Sequence, residues 1–251
     1  MKVTLIFLTL NEIEGLKGVF HKIPLGAFDE VFAVDGGSTD GTAEFFAEKG
    51  IPVHQQEVKG RGEAFRVAFR KSSGDALVFY SPDGNEDPLD LPKFRPLLEE
   101  GNDLVIATRM VKGAYNEEDI HWWRPRKWVN LAFTIIANIL WNRGHWVSDT
   151  INGYRGITRR TWELIALDGP GYTIEYQSSI RAFKKNLKIK EFPTHESPRI
   201  DNGFGSPSLS TGMAFLKILL HEVRIGKRWK PLQESEEEVR KNRLAAAYWR
   251  G

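Results

Sequence analysis

At 251 residues, 41% hydrophobic and 27% charged, the chain has the make-up of a folded protein with one sizeable core and room for an appendage, not of a disordered polymer. Its 35 Lys and Arg against 33 Asp and Glu leave a formal net charge of +2, so no whole-molecule field argues for nucleic acid as a partner. The absence of cysteine excludes disulfides, thiolate metal sites and a cysteine nucleophile, and it suits a reducing compartment.

Residues 1–10 combine one charge with an apolar run, but acidic residues follow directly and no small-residue cleavage site is present, so they read as a first strand and not a signal peptide. From there to Ala107, short β-rich runs alternate with helical segments, the pattern of a mostly parallel sheet flanked by helices. Strands are expected at 3–9, 31–34, 53–56, 76–80 and 104–107, and helices at 42–49 and 63–71 offer Phe45, Phe46, Phe65, Val67, Ala68 and Phe69 to the core. Beyond Arg109 comes a polar loop over 112–119, then a stretch at 122–128 that mixes tryptophan with cations. A helix over 129–141 is apolar but interrupted by Asn130 and Asn138, and it falls short of the ~20 apolar residues of a membrane span, which leaves a buried or membrane-surface helix. A helix over 173–186, a strand over 187–192 and a Gly/Ser/Pro loop over 197–212 follow. An apolar helix from Met213 then runs into Arg224, Lys227, Arg228, Trp229 and Lys230, and the charged tail over 233–249 reads as helical.

Chemistry gathers where strands end. The run Ser81-Pro82-Asp83-Gly84-Asn85 directly follows the fourth strand, so it delivers the hard oxygens of Asp83 and Asn85 to the carboxyl edge of the sheet, a ligand set suited to Mg²⁺ or Mn²⁺ on phosphates. Thr9, Leu10, Asn11 and Glu12 follow the first strand. Asp35, Gly36, Gly37 and Ser38 follow the second; these polar groups converge as a base and ribose site requires, although Ser38, Thr39 and Asp40 are also ordinary caps for the helix beginning near Thr42. Lys59, Gly60 and Arg61 open a helix with a glycine and two cations, which suits a pyrophosphate.

The order of these blocks resembles the inverting family 2 glycosyltransferases with the GT-A fold, over roughly residues 1–225. The stretch 9–12 resembles the family's opening motif, 34–42 its Val-Asp-Asp-Gly-Ser-Thr-Asp-Gly-Thr loop, 59–64 its Gly-Lys-Gly-x-Ala helix start, and 81–83 its metal-binding Asp-x-Asp. The stretches 105–109, 147–155 and 188–193, with Glu175 and Arg199, are similar to the branch containing dolichol-phosphate mannose synthase and polyprenyl-phosphate sugar transferases. Two positions depart from the pattern: Gly36 replaces the second acid of the loop, and Ser81 the first acid of Asp-x-Asp.

The resemblance implies a Rossmann-like α/β domain over 1–212, with a nucleotide-sugar half (1–109), an acceptor half (110–212) and a C-terminal helical, partly amphipathic extension (213–251). It implies a metal-dependent hexosyltransferase in which Thr9, Leu10, Asn11, Glu12, Asp35, Gly37, Ser38, Lys59, Gly60, Arg61, Ser81, Pro82 and Asp83 hold a GDP-mannose- or UDP-glucose-type donor, with Asp83 and Asn85 on the metal. No family-type acidic base is evident, whereas Arg109, Arg124, Arg126, Lys127 and Arg199 offer cations for an anionic acceptor, a polyprenyl phosphate. Asp83, Arg109 and Arg199 are the expected catalytic residues, and the enzyme is expected at the cytoplasmic face of a membrane as a peripheral protein. Two alternatives stay open: a hydroxyl acceptor with Asp149 or Asp87 as base, and a degenerate protein that binds nucleotide-sugar without turnover.

Overall fold

The structure, a computed structural model, describes residues 1–120, 125–200 and 208–230. Seven strands form one sheet in the order β3-β2-β1-β4-β6-β5-β7: β1 (Val3–Thr9), β2 (Glu30–Asp35), β3 (Val53–Gln55), β4 (Ala76–Tyr80), β5 (Leu104–Thr108), β6 (Arg155–Thr158) and β7 (Ile189–Pro193). All run parallel except β6, which lies antiparallel between β4 and β5. The central strands β1, β4 and β5 are buried at every residue, as continuous apolar runs require when helices cover both faces.

Alternation along the strands sorts two cores. Leu5, Phe7, Val78 and Tyr80 face Leu16 of α1 (Ile13–Val19), Phe46 of α2 (Thr42–Glu48) and Phe94 of α4 (Phe94–Glu99). Ile6, Leu8, Leu77 and Phe79 face α3 (Arg61–Lys71), α5 (Pro125–Trp141), α6 (Arg159–Ile165), α7 (Thr173–Lys184) and α8 (Ser208–Ile225) through residues such as Phe65, Ala137, Trp162, Tyr176 and Phe215. The boundary expected at 212/213 falls inside α8, which seats Phe215, Ile218 and Leu219 in the second core, so the described part of the extension is continuous with the domain. The tail over 233–249 lies outside the described residues.

The sequence pattern does not announce β6, α1, α4 or α6. β6 is four residues long, carries Arg155 and Gly156, and has no apolar run to mark it. Gly156 is there for space: a Cβ would sit 3.0 Å from the Phe94 ring, which packs against the sheet at that point. The chain leaves β1 toward β2 and β3, then returns to place β4 on the other side of β1. The loops after β1 and β4 therefore diverge and leave a crevice at their carboxyl ends, where open α/β sheets bind ligands.

Candidate functional site

The loops after β1 and β2 are laced together. The Asn11 N–H donates to Ser38 Oγ at 2.8 Å, the Thr39 N–H to Asn11 Oδ1 at 2.8 Å, and the Glu12 N–H to Thr42 Oγ1 at 2.9 Å. Asp35 is fully buried: its Oδ2 accepts from the Gly37 and Ser38 N–H groups, each at 2.9 Å, and its Oδ1 from the hydroxyls of Thr9 and Ser38. Four accepted bonds match the four lone-pair positions of a carboxylate, so Asp35 ties its own loop to the end of β1. Asp40 accepts the Thr42 N–H and hydroxyl and the Ile13 N–H, linking the loops after β1 and β2, while the N-cap of α2 is Gly41, without a side-chain cap.

Beside these loops lies a cavity of about 440 Å³, walled by Thr9, Leu10, Glu12, Gly36, Gln56, Lys59, Gly60, Arg61, Ser81, Asp83, Tyr172 and Arg199. Of the expected donor residues, Asn11, Asp35, Gly37, Ser38 and Pro82 stay outside its wall. Gln56, which follows β3, is part of the wall. Its Nε2 donates to the Gly60 carbonyl at 2.8 Å, and a Cβ on Gly36 would stand 3.1 Å from its Oε1, so the glycine that replaces the family's second acid leaves room for this carboxamide. Gly60, at φ 131°, adopts a backbone that side chains rarely allow and turns the chain so that Lys59 and Arg61 both border the cavity.

Arg61 is held on several sides. Its Nε donates to Glu175, its Nη1 to Ser81 Oγ at 3.2 Å, and its guanidinium lies 5.8 Å from the centre of the Tyr172 ring. Burial would lower its pKa, but the Glu175 and Glu86 carboxylates outweigh burial and hold it above the usual arginine value. Ser81, where the family has an acid, thus hydrogen-bonds to a cation.

Asp83 is 2% exposed; its Oδ1 accepts the Asn85 N–H at 2.9 Å and its Oδ2 pairs with Arg199 Nε at 3.1 Å. The Asn85 amide nitrogen donates to the Ser197 carbonyl and to Glu117, so its carbonyl oxygen is the ligand atom that remains for a cation. A buried carboxylate that already attracts one cation, with an amide oxygen two residues on, fits a divalent ion that takes its other ligands from phosphates. Glu86, close by, has its carboxyl pushed up to about 8 by burial and by Asp83, against Arg61.

A second cavity, about 410 Å³, shares Arg61, Ser81, Asp83, Tyr172 and Arg199 with the first and extends to Asn85, Glu86, Arg109, Arg126, Val129, Asn152, Glu175, Glu196 and Phe215. Arg109 donates from Nε to Asp149 at 2.7 Å and from Nη1 to Glu196 at 2.9 Å. Those two carboxylates overcome burial and keep it well above its ordinary pKa, while Asp149 is held low by Arg109 against its own burial. Glu191 fixes the same loop by accepting the Ser148 and Asp149 N–H groups at 2.8 and 2.9 Å. Arg126 pairs with Glu118 at 2.7 Å and with Glu117, and Lys127 with Asp119. Only Arg109, Arg126 and Arg199 of the expected acceptor cations border this cavity; Lys127 does not, and Arg124 lies outside the described residues.

Sequence reasoning assigns no role to Gln56, Glu86, Asn152, Tyr172, Glu175 or Glu196. Glu86, Asn152 and Glu175 sit within or beside the family-like blocks, and those blocks are the one signal that points to them. Among the described residues, a separate cluster of Asp168, His221 and Glu222 has metal-like spacing. Arg181 reaches Asp168 at 2.6 Å and Glu222 at 2.9 Å, and Lys184 reaches Glu222 at 2.6 Å, so the cluster is an ion-pair clamp between α7 and α8 and borders neither cavity.

The model of the family Glycosyl transferase family 2 matches residues 4–160. The glycosyltransferase AglJ of Haloferax volcanii is 30% identical over 216 residues, spanning 84% of this chain and 68% of that protein. A dolichol-phosphate mannosyltransferase of Pyrococcus furiosus is 27% identical; the match spans 77% of this chain but 56% of that protein. The crystal structure of glucosyl-3-phosphoglycerate synthase from Mycobacterium tuberculosis with Mn²⁺, UDP-glucose and phosphoglyceric acid superimposes with a TM-score of 0.68 at 24% identity, covering 92% of this chain and 81% of that one, and so shares the fold.

Proposed function

The chain belongs to glycosyl transferase family 2 and is an enzyme of that family; from that premise we propose that it moves a hexose, with inversion, from a nucleotide-diphospho-sugar to a polyprenyl phosphate at a membrane surface, using Mg²⁺ or Mn²⁺. The carrying observation is the pair of cavities that meet at Arg61, Ser81, Asp83, Tyr172 and Arg199. An inverting displacement needs the leaving diphosphate on one side of the sugar and the attacking oxygen on the other, and two chambers with a common wall supply both.

In this reading Lys59 and Arg61 border the diphosphate, and Asp83 with Asn85 would hold the divalent ion, which neutralises charge on the leaving group. A phosphate oxygen of the acceptor attacks the anomeric carbon, and the nucleoside diphosphate departs with the electron pair of the broken C–O bond. A phosphate monoester is already anionic and needs positioning instead of deprotonation. The carboxylates considered as bases for a hydroxyl acceptor count against that alternative: Asp149 is committed to Arg109, and Asp87 borders neither cavity.

Lipid character is supported by the outer walls of the second cavity. α5 turns Thr134, Ala137 and Asn138 inward while exposing Trp128, Val129, Ile135, Ile136, Ile139 and Leu140. α8 buries Phe215, Ile218 and Leu219 while exposing Met213, Leu216, Leu220 and Val223. Exposed cations lie on and beside these two helices: Arg126, Arg143, Lys217, Arg224 and Lys227. Apolar residues rimmed by cations suit the headgroup boundary of an anionic bilayer. Among the described residues no helix is long and apolar enough to cross a membrane. The test is to incubate the protein with Mn²⁺, radiolabelled UDP-glucose or GDP-mannose, and vesicles containing undecaprenyl or dolichyl phosphate, and then to partition the products. Label in the organic phase is the expected result, and label confined to the aqueous phase would refute the lipid acceptor.

A further inference from the structure

We infer that Glu175 recognises a hydroxyl group of the donor's hexose, and so makes the site bind a nucleotide-sugar in preference to the bare nucleotide. This rests on the reaction proposed above, which requires a sugar between the two cavities.

Glu175 lies in the first turn of α7, is 2% exposed, and forms part of the wall of the second cavity beside the residues common to both. Its Oε1 accepts from Arg61, but its Oε2, also buried, has no hydrogen-bond partner among the described residues. A buried carboxylate oxygen left unmet costs about 1–3 kcal/mol or more, so native proteins seldom keep one without a use. The helix does not supply the use: Tyr172, the N-cap of α7, makes no side-chain cap, and Glu175 is not engaged as a capping carboxylate.

The group is instead fixed in place. Arg155 donates to the Glu175 carbonyl at 2.8 Å and to Ser178 Oγ, tying the first turn of α7 to β6. Arg61, its other partner, is aimed by Ser81 and Tyr172, and Gly153 makes room for the pair, because a Cβ there would collide with Arg61 Nη2. A carboxylate oxygen accepts and cannot donate, so its missing partner is a donor or a cation. Arg61 already supplies a cation at Oε1, and the donor that the proposed reaction brings to this wall is a hydroxyl of the sugar. The half-exposed ring of Tyr172, common to both cavities, offers an apolar surface for the C–H face of the same sugar.

The test is calorimetric binding in the presence of Mn²⁺, with UDP-glucose, GDP-mannose, UDP and GDP as probes. Glu175→Gln keeps an oxygen for Arg61 but loses the ionised acceptor. We expect about a 10- to 100-fold loss of affinity for the nucleotide-sugar that the wild type prefers, the range of a charge-assisted hydrogen bond, with a distinctly smaller loss for the matching diphosphate, which meets Glu175 only through Arg61. Equal losses for both ligands would mean that Glu175 serves Arg61 alone and would overturn the inference. A second arm needs no variant: one monodeoxy-hexose donor should bind wild-type protein about tenfold more weakly than its parent, and uniform binding of every monodeoxy donor would also overturn it. If no nucleotide-sugar binds, the proposed reaction falls and takes this inference with it, whereas failed discrimination removes the inference alone.

Discussion

The two cavities are built differently. The first is assembled mainly from loops that directly follow β1, β2, β3 and β4, with Tyr172 and Arg199 added from further along the chain, so most of its groups reach the sheet edge by strand alternation and local turns, as when the Lys59–Arg61 turn is fixed by Gln56 four residues before Gly60. The second is assembled from ion pairs between distant segments: Arg109 with Asp149 and Glu196, and Arg61 with Glu175. A site made of strand ends is rigid because the sheet is rigid, while one made of buried ion pairs depends on each partner.

Removing a single partner should therefore separate the two. Asp149→Ala leaves the Arg109 guanidinium buried with one carboxylate instead of two, and truncating one side of a buried pair costs about 3–5 kcal/mol. In thermal melts this should lower Tm by roughly 10 °C, with donor binding to the surviving fold largely retained. A melt unchanged from wild type would erase the distinction drawn between the cavities.

Smaller and dependent on pH is the effect of Glu86. Its folded-state carboxyl, raised to about 8 from the ordinary 4.5, favours folding while protonated. That contribution is fully present below pH 4.5 and is lost as pH rises through 8. Glu86→Gln, which stays neutral, should match wild type below pH 4.5 and exceed it in Tm by a margin that grows as pH rises to 8. Metal-free melts across that range check the sign, and a wild type that gains stability relative to the variant with rising pH would reverse it.

The smallest effect on folding belongs to the outer apolar band. Ile139 is 68% exposed on α5, so Ile139→Glu should alter stability by no more than about 0.5 kcal/mol. Vesicle co-sedimentation should nonetheless weaken by about tenfold, the equivalent of one aliphatic side chain withdrawn from the interface. Unchanged sedimentation would make the band irrelevant to lipid.

The same contrast explains what the residue order can disclose. Strand β4 follows from an apolar run that stops at Pro82 and Gly84, and the turn between β3 and α3 from Gly60 and Gly62, so Asp83 and the Lys59–Arg61 turn are legible from local pattern alone. Asp35 is legible as a strand-end acid, but its turn to the inside depends on Thr9 at the end of the neighbouring β1 as well as on Ser38 in its own loop. That Arg109 faces Asp149 and Glu196, and that Arg199 rests on Asp83, are long-range pairings for which no local pattern exists. Helix α5 reads as either core or surface because its sequence supports both; it is buried on one side and bare on the other.

A metal-assisted donor site centred on Asp83, at the carboxyl edge between β1 and β4, stands or falls on one titration. UDP-glucose and GDP-mannose are titrated calorimetrically, with and without Mn²⁺, into wild type and Asp83→Asn. Mn²⁺ should raise the affinity of wild type for one donor by about tenfold or more, and the variant should lose this response. Donor binding that ignores Mn²⁺ in both proteins would show that Asp83 holds no metal for the donor.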